Sequence, residues 1–398
     1  MTRVWKSLIS ISILAVATQV TASPQSSSSE RELEIKVWTA DESHIPQLER
    51  DVTHLMQVNA RSVTAHHLLS HVFVRMFTRD PSDIYLLRQA ADLAQQAVDL
   101  APNDPSGYSA LADILDLMGN TSAALKLLTS AESRGIKGNW RFSFTRARLL
   151  ADSGGSDKVL ALLRQSLAFS DAQPDIVVPY VVAILQSDFS GDKLVKELET
   201  WNKRFPSQLF DLTIAITYSE MGEATKAHKI YTAMLAKNPN HTEARINDAI
   251  LLYRDLNQSR KASAQLEAVL SGSQYDLMPS LRSTVTGHLG VAYVNQKDWG
   301  RAHATFIKAV DIESEHNEQL TDFISRAYKN ANAHAKLAAL LTDLSEHMSG
   351  PSGLYAMLGE TLSANLNKHD DAIKSYTDAI VLDPNRADYY TGMGLALY

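Results

Sequence analysis

A block of residues that recurs along this 398-residue chain constrains its fold more than any other feature. Each copy joins two short helices that carry apolar residues at three- and four-residue spacing on one face. A unit of about 34 residues cannot bury such faces alone, so neighbouring copies must stack on one another. The copy nearest the C-terminus reads Leu358-Gly359-x2-Leu362, Ala372-x3-Tyr376-x2-Ala379 and Pro384. The sequence therefore predicts a row of stacked helix pairs instead of a single globular core.

Further copies keep the pattern at compatible positions. The small residue on the first helix lets the paired helix approach closely, and the aromatic residues fill the space between neighbouring pairs. These copies contain Tyr108-x2-Leu111-Ala112-x2-Leu115 with Ala124, Leu128 and Ala131; Ile214-Ala215-x2-Tyr218 with Ala227, Tyr231 and Pro239; and Leu289-Gly290-x2-Tyr293 with Trp299, Ala302, Phe306 and Ala309. The pattern resembles that of the tetratricopeptide repeat (TPR) family, which has a Leu-Gly pair and an aromatic residue on the first helix and Ala, Phe and Ala on the second.

The resemblance implies an all-α, right-handed superhelical solenoid of antiparallel helix pairs, with about nine pairs and a terminal half repeat. One residue is inserted before Ala372, and the second helix of 242–275 is displaced by one residue, so these copies depart from the family spacing. More degenerate copies are expected at 61–102, 140–173, 175–206, 242–275 and 317–350.

Prolines are expected to end several of the second helices. Proline lacks the amide hydrogen that a helix needs and restricts the residue before it, so a helix ends just upstream. Asn238 and Asp383 stand directly before two of them, where they favour a turn and are also expected to cap the next helix. The prolines concerned are Pro102, Pro206, Pro239 and Pro384.

The N-terminal residues have the layout of a secretory signal peptide. Arg3 and Lys6 precede the apolar run 8–16, and Ala22 ends a group of small residues that suits cleavage. The run is short for a membrane span, and an uncleaved anchor helix is the alternative. The chain has no cysteine, so it forms no disulfide and cannot be lipid-anchored at a cleavage-site cysteine. We expect a periplasmic or secreted protein with no transmembrane span after cleavage.

The predicted organisation follows from the signal peptide and the quality of the repeats. It consists of a signal peptide at 1–22, a flexible tether at 23–43, degenerate TPR-like helix pairs at 44–206 and better-matching repeats at 207–398. The chain carries 38 Lys and Arg residues against 45 Asp and Glu residues, for a formal net charge of −7. Because no basic stripe runs along it, we expect no nucleic-acid binding.

Catalytic chemistry has no good candidate. His67 and His71 are one helical turn apart, at the spacing of two metal ligands, but Leu68 stands where zinc peptidases carry Glu. We interpret both as partly exposed helix histidines. Asp113 and Asp116 lie at helical spacing and are interpreted as a solvated face. We therefore predict no enzyme activity, no catalytic residue, no cofactor and no metal site.

The resemblance also places a binding groove. In a TPR solenoid the first helix of each pair lines the concave side. Mostly apolar groove positions favour a protein or peptide partner with a hydrophobic segment or helix, whereas the alternative for each residue is packing against the next pair. The carboxylate clamp of TPR co-chaperones is not expected, because apolar residues replace its Lys and Asn. The predicted groove residues are Leu212, Ile216, Ser219, Ile246, Asn247, Ile250, Tyr253, Val291 and Val294.

These features predict a non-enzymatic protein- or peptide-binding TPR scaffold of the bacterial envelope. The alternative is a structural TPR component of an envelope assembly or an exopolysaccharide-export apparatus, of which this chain would be the N-terminal part. A half repeat begins at Asp388 and ends with Leu395, Leu397 and Tyr398. A capping helix usually has a polar outer face, so two alternatives stand for this half repeat: self-association, or a chain that is cut from something longer.

Overall fold

The computed structural model describes residues 44–151, 156–170, 172, 174–272, 277–312, 318–347 and 351–398, together with Leu33, Lys36 and Val37. The signal peptide predicted at 1–22 lies outside these residues, as does nearly all of the tether predicted at 23–43. Across the described residues the chain forms 20 helices and no strand. The predicted all-α solenoid of helix pairs is confirmed.

The chain divides into two compact units, one ending at Thr213 and the other beginning at Ile214. The predicted boundary at 206/207 stays a prediction. The helices up to residue 204 are α1 (Ile45–Val58), α2 (Val63–Arg79), α3 (Ile84–Leu100), α4 (Pro105–Leu117), α5 (Thr121–Ser133), α6 (Trp140–Ala151), α7 (Ser156–Leu167), α8 (Pro174–Asp188) and α9 (Gly191–Arg204).

The unit boundary falls within the next helix, α10 (Gln208–Glu220). The helices that follow are α11 (Ala224–Lys237), α12 (Thr242–Arg254), α13 (Ser259–Ser271), α14 (Pro279–Asn295), α15 (Trp299–Ile312), α16 (Glu318–Asn330), α17 (His334–His347), α18 (Ser352–Glu360), α19 (His369–Leu382) and α20 (Ala387–Leu397).

Consecutive helices pack in pairs across short turns, as the repeat pattern predicts. In the first unit the pairs are α2–α3, α4–α5, α6–α7 and α8–α9, and in the second unit they include α12–α13, α14–α15, α16–α17 and α18–α19. Helix α20 packs on α19 and α18 as a terminal half repeat. In the second unit a continuous apolar core extends from Ile246 to Ala396. Each pair therefore contributes its buried face to a core that it shares with its neighbours.

Prolines follow the ends of second helices, as predicted. Helices α3, α9, α11 and α19 each end two residues before a proline. The expected capping role of Asn238 and Asp383 is wrong. Their Oδ1 atoms accept hydrogen bonds from the amides of Asn240 (3.1 Å) and Asn385 (3.3 Å), two residues further on. These bonds close the turn before the next helix begins, so the side chains cannot also reach that helix's first amides.

The turn from a first to a second helix repeatedly uses a residue in the left-handed region. The residue after it donates its amide to a carbonyl near the end of the first helix, as Asp298 does to Tyr293 (3.0 Å) and Ala333 to Tyr328 (2.9 Å). This hydrogen bond satisfies a carbonyl that the helix leaves unpaired. The left-handed residues are Gly119, Gly222, Asn257, Lys297, Asn332 and Asn367, with φ between 52° and 79°.

A π-helical turn accounts for the residue inserted before Ala372. Residues Thr361–Asn365 continue α18 as one wide turn, and the amide of Lys368 then donates to the carbonyl of Leu362 at 2.9 Å. A π turn accommodates one extra residue without ending the helix. The inserted residue is therefore absorbed inside the first helix, and the second helix keeps its contacts.

Candidate binding face of the first helices

The predicted groove residues differ in exposure. Leu212 belongs to the first unit and the others to the second. Ile216, Ser219 and Asn247 are partly exposed. The remaining predicted residues are buried: Leu212, Ile246, Ile250, Tyr253, Val291 and Val294. A partner can therefore reach only part of this set, while the buried members pack between neighbouring helices.

A ladder of side chains crosses three neighbouring first helices of the second unit. Tyr253 lies on α12, His288 on α14 and Phe323 on α16. Tyr253 Oη and His288 Nδ1 share a hydrogen bond of 2.7 Å. The His288 and Phe323 rings meet edge to face, with centroids 5.0 Å apart. Sequence reasoning selected Tyr253 but missed the other two, because their contacts depend on how neighbouring helix pairs are aligned.

Polar side chains also connect neighbouring first helices beside the ladder. Arg254 Nη2 donates to Ser219 Oγ at 2.9 Å, and Asn295 Nδ2 donates to the carbonyl of Tyr253 at 3.2 Å. Arg254 also forms an ion pair with Asp255, at 2.7 Å. Arg254 and Asn295 are solvent-exposed, whereas Ser219 is partly exposed. The face therefore presents a guanidinium and an amide whose positions are fixed by neighbouring repeats.

His288 remains neutral at neutral pH. Burial lowers its pKa to about 4, and the nearby positive charge of Arg254 acts in the same direction. A neutral imidazole can share the hydrogen bond with Tyr253 and place its ring against Phe323 without an unpaired buried charge. At neutral pH the ladder itself is therefore uncharged, and the ion pair of Arg254 with Asp255 lies beside it.

A buried carboxylate lies next to this face but is not accessible from it. Asp248 occupies the position on α12 that Leu289 occupies on α14. Its Oδ1 lies 2.6 Å from His228 Nδ1 on α11, and its Oδ2 accepts from Gln265 Nε2 on α13 at 3.0 Å. A buried carboxylate needs such partners because desolvation penalises its charge. Asp248 therefore joins three helices, which is a structural role.

The first unit places the histidine pair on α2. His67 and His71 are partly exposed. Burial, and next the charge of Arg141, lower the pKa of His67 to about 3, and the same two causes lower that of His71. Within the described ranges, no group of three or more His, Cys, Asp or Glu side chains is arranged to hold a metal ion. The expectation that these histidines bind no metal in function stays a prediction.

The interpretation of Asp113 and Asp116 as a simple solvated face is incomplete. Both are partly buried and pair with Arg148 of α6, at 3.0 Å and 2.7 Å respectively. Thr121 Oγ1 also donates to Asp116 Oδ1, at 2.5 Å. The carboxylates on α4 therefore connect neighbouring first helices. Sequence spacing alone could not show this, because Arg148 lies a full repeat away.

One helix pair of the second unit matches a known protein family. A model of the tetratricopeptide repeat matches residues 352–386, a range that contains α18, the π turn and α19. The same pairing of helices recurs in both units. Residues 352–386 therefore match the tetratricopeptide repeat, and the resemblance seen in the sequence is supported. Proteins built from such repeats use the surfaces of their stacked helices for binding.

Solved structures of several TPR-containing proteins are similar to this chain. The thermophilic TPR protein TTC0263 from Thermus thermophilus has 17% identity and a TM-score of 0.34, with 39% of this chain and 80% of that chain covered. A tetratricopeptide repeat protein from Parabacteroides merdae has 16% identity and a TM-score of 0.27, with coverages of 82% and 99%. PilW, a widely conserved type IV pilus biogenesis factor, has 13% identity and a TM-score of 0.34, with coverages of 63% and 97%. These low TM-scores support no conclusion about function.

Two further findings concern the sequence as a whole and the described helices. No curated protein matches its sequence. In the part of the chain that the structure describes, no helix combines the length and the apolar character needed to cross a membrane.

Proposed function

We propose that this protein is a non-enzymatic scaffold that binds a protein or peptide on the first-helix face of its second unit. The ladder of Tyr253, His288 and Phe323 carries this proposal, because it gives three successive first helices one continuous face with fixed side chains. Fixed side chains lose little conformational freedom when a ligand binds, so more of the contact energy contributes to affinity.

The chemistry of the face suits a peptide with apolar side chains. Ile216 and Phe323 provide partly exposed apolar surface, while Asn247 and Asn295 provide amide groups at the same face. An amide side chain both donates and accepts hydrogen bonds, as a peptide backbone does. Arg254 is already paired with Asp255, so the two side chains add polar groups to the face but no net charge. The proposed partner is therefore a peptide segment with apolar side chains.

The absence of enzyme activity is part of this proposal. Asp248 is buried near the face, and His288 is partly exposed on it. Both side chains are engaged in hydrogen bonds between helices. A general base needs a proton of the substrate within reach. Asp248 is buried, and the Nδ1 atom of His288 already bonds to Tyr253. Their arrangement favours a structural role for both side chains.

Binding of envelope proteins would test the proposed face. Affinity-tagged wild-type protein and an Ile216→Asp, Asn295→Ala variant would be used to capture partners from envelope extracts, with identification by mass spectrometry. Both positions retain solvent exposure, so the fold should tolerate the changes. A Lys308→Asp variant, changed at an exposed position of the second helix α15, is the control. We expect one partner to be lost with the face variant only; equal recovery with all proteins would contradict the proposal.

We also propose that the protein acts in the bacterial envelope after export. The supporting feature is the charged start, apolar run and small-residue site within 1–22. N-terminal sequencing of the protein from fractionated cells would test it. A mature N-terminus at Ser23 in the periplasmic or secreted fraction is expected, and an intact Met1 in the cytoplasmic fraction would contradict export.

A further inference from the structure

Three aromatic side chains form a continuous surface across two first helices of the first unit. Trp140 and Phe144 lie one turn apart on α6, with their ring centroids 6.3 Å apart. The ring of Tyr180 on α8 meets that of Phe144 edge to face, with 4.8 Å between the centroids. Trp140 and Phe144 are partly exposed, and Tyr180 is 39% exposed. We name Trp140, Phe144 and Tyr180 the aromatic shelf.

The rings of the aromatic shelf stabilise one another's orientation. Edge-to-face contact is an arrangement that aromatic pairs prefer, because the edge of one ring is positive and the face of the other is negative. His288 and Phe323 make the same contact in the second unit, at 5.0 Å. An exposed ring of fixed orientation offers a ligand an apolar surface and a negative face, with little loss of conformational freedom on binding.

A group of charged side chains lies beside the aromatic shelf. Arg148 follows Phe144 by one turn on α6, and residues four apart share one face of a helix. Arg148 pairs with Asp113 at 3.0 Å and with Asp116 at 2.7 Å, both on α4. The side chains of these three residues are 21% to 29% exposed. Two carboxylates share one guanidinium, so one negative charge is left in excess.

Other basic side chains of these helices are engaged elsewhere. The helices α4 and α8 contain aspartates but no lysine or arginine. On α6, Arg146 pairs with Glu132 of α5. Arg141 is buried, and its charge acts on His67 of α2. The charged group beside the shelf therefore keeps its excess negative charge, which favours a cationic ligand.

We propose that the aromatic shelf binds a lysine or arginine side chain of a protein or peptide partner. A cation over an aromatic ring is attracted by the negative face of the ring. The carboxylates of Asp113 and Asp116 add a longer-range attraction. The apolar stem of the lysine or arginine packs against the rings while its charged end stays in water.

An acidic segment is a poorer occupant of the same surface. Its carboxylates would lie near Asp113 and Asp116, and like charges at an interface repel. The aromatic shelf belongs to the first unit, so its role does not rest on the face proposed on α12, α14 and α16.

Fluorescence anisotropy of a labelled peptide that alternates lysine and glycine would test the shelf with the whole protein. We expect saturable binding. Acetylation of the lysines removes their charge but keeps their stems, and should weaken binding at least about tenfold, or 1.4 kcal/mol. Tyr180→Ser should weaken it about two- to fivefold, as expected for a cation over an exposed ring, whereas Tyr180→Phe keeps the ring and should bind as wild type does. Asp113→Asn removes the excess negative charge, so it should weaken binding and reduce its dependence on salt.

Two control variants separate the aromatic shelf from general attraction to the protein and from the proposed function. Tyr85→Ser removes a ring that is 69% exposed on α3, outside the shelf, and should leave binding unchanged. The Ile216→Asp, Asn295→Ala variant is changed in the face of the first helices proposed above, and should also bind the lysine peptide as wild type does. Loss of binding in that variant alone would place the peptide on that face and not on the shelf.

Other outcomes would overturn the assignment of the shelf. They are absence of binding, equal binding of the acetylated peptide, and wild-type affinity of Tyr180→Ser. Displacement of the peptide by the neutral oligosaccharide maltohexaose would assign the aromatic shelf to sugar binding instead.

Discussion

The ring of Phe306 occupies the space that a Cβ atom at Gly290 would need, with Cε1 2.4 Å from that position. Glycine is thus required there by the packing of α15 on α14, not by backbone conformation. The same relationship joins Tyr376 to Gly359 in the pair α18–α19, at 2.9 Å. The Leu-Gly element of the repeat and the aromatic residue of its second helix are therefore two halves of one contact.

Replacing Gly290 with alanine should destabilise the second unit. The added methyl group must displace the Phe306 ring, at a cost of about 1–3 kcal/mol for overpacking, of which the higher helix propensity of alanine offsets about 1 kcal/mol. Urea denaturation would measure the change. Gly300→Ala is the matched control, because its Cβ atom would meet nothing within 4 Å; it should leave stability unchanged or raise it. A similar effect of both changes would contradict the tight contact.

The contacts that sequence reasoning predicted are those set by short-range spacing. The helix pairs, the helix ends before proline and the close approach of the paired helix at Gly290 follow from residues within one repeat, where helical periodicity fixes which side chains meet. The links between repeats, such as His288 with Phe323 and Arg148 with Asp116, depend on how neighbouring pairs are aligned. That alignment is set by packing along the whole row, which local spacing does not encode.

Lys297 adopts a left-handed conformation, with φ of 57°, in the turn between α14 and α15. This conformation costs a residue with a Cβ atom about 1–2 kcal/mol, and glycine avoids the cost. Lys297→Gly should therefore raise the free energy of unfolding by up to about 1 kcal/mol, since glycine also gives the unfolded chain more freedom. Lys308→Gly, within α15, is the control and should lower it by about 1 kcal/mol. Destabilisation by both changes would contradict the strain at Lys297.

Asp248 should be sensitive to removal and tolerant of an apolar replacement. Asp248→Ala leaves the buried side of Gln265 without its acceptor and opens a cavity, so we expect a loss of about 2–4 kcal/mol. Asp248→Leu places at this position the residue that α14 carries as Leu289, and should recover much of that loss. Asp343→Ala removes the exposed partner of His303 and should cost less than about 1 kcal/mol. Thermal unfolding of the three variants would compare them; equal losses for Asp248→Ala and Asp343→Ala would contradict a special role of the buried carboxylate.

His288 should make the stability of the second unit depend on pH. Its pKa is about 4 in the folded chain against 6.5 for an ordinary histidine, so between these values the unfolded chain binds a proton that the folded chain does not. The contribution of His288 to the free energy of unfolding is therefore complete above pH 6.5 and declines as the pH falls towards 4. Below pH 4 this contribution changes no further, because the histidine is protonated in both states. The full shift corresponds to at most about 3 kcal/mol, and solvent contact of the partly exposed ring reduces it to about 1–3 kcal/mol.

Urea denaturation at pH 7.5, 5.5 and 4.5 would isolate this contribution by comparing wild type with His288→Gln, because carboxylates and other histidines titrate in both proteins. Glutamine keeps a hydrogen-bonding group near Tyr253 but does not titrate. The stability difference between wild type and variant should shift in favour of the variant as the pH falls, by about 1–3 kcal/mol. The Tyr253 hydroxyl would meanwhile keep a partner in both chains. A difference that is constant across this range would show that His288 is protonated as readily in the folded chain as in the unfolded chain, and that its contact with Phe323 does not exclude the charged ring.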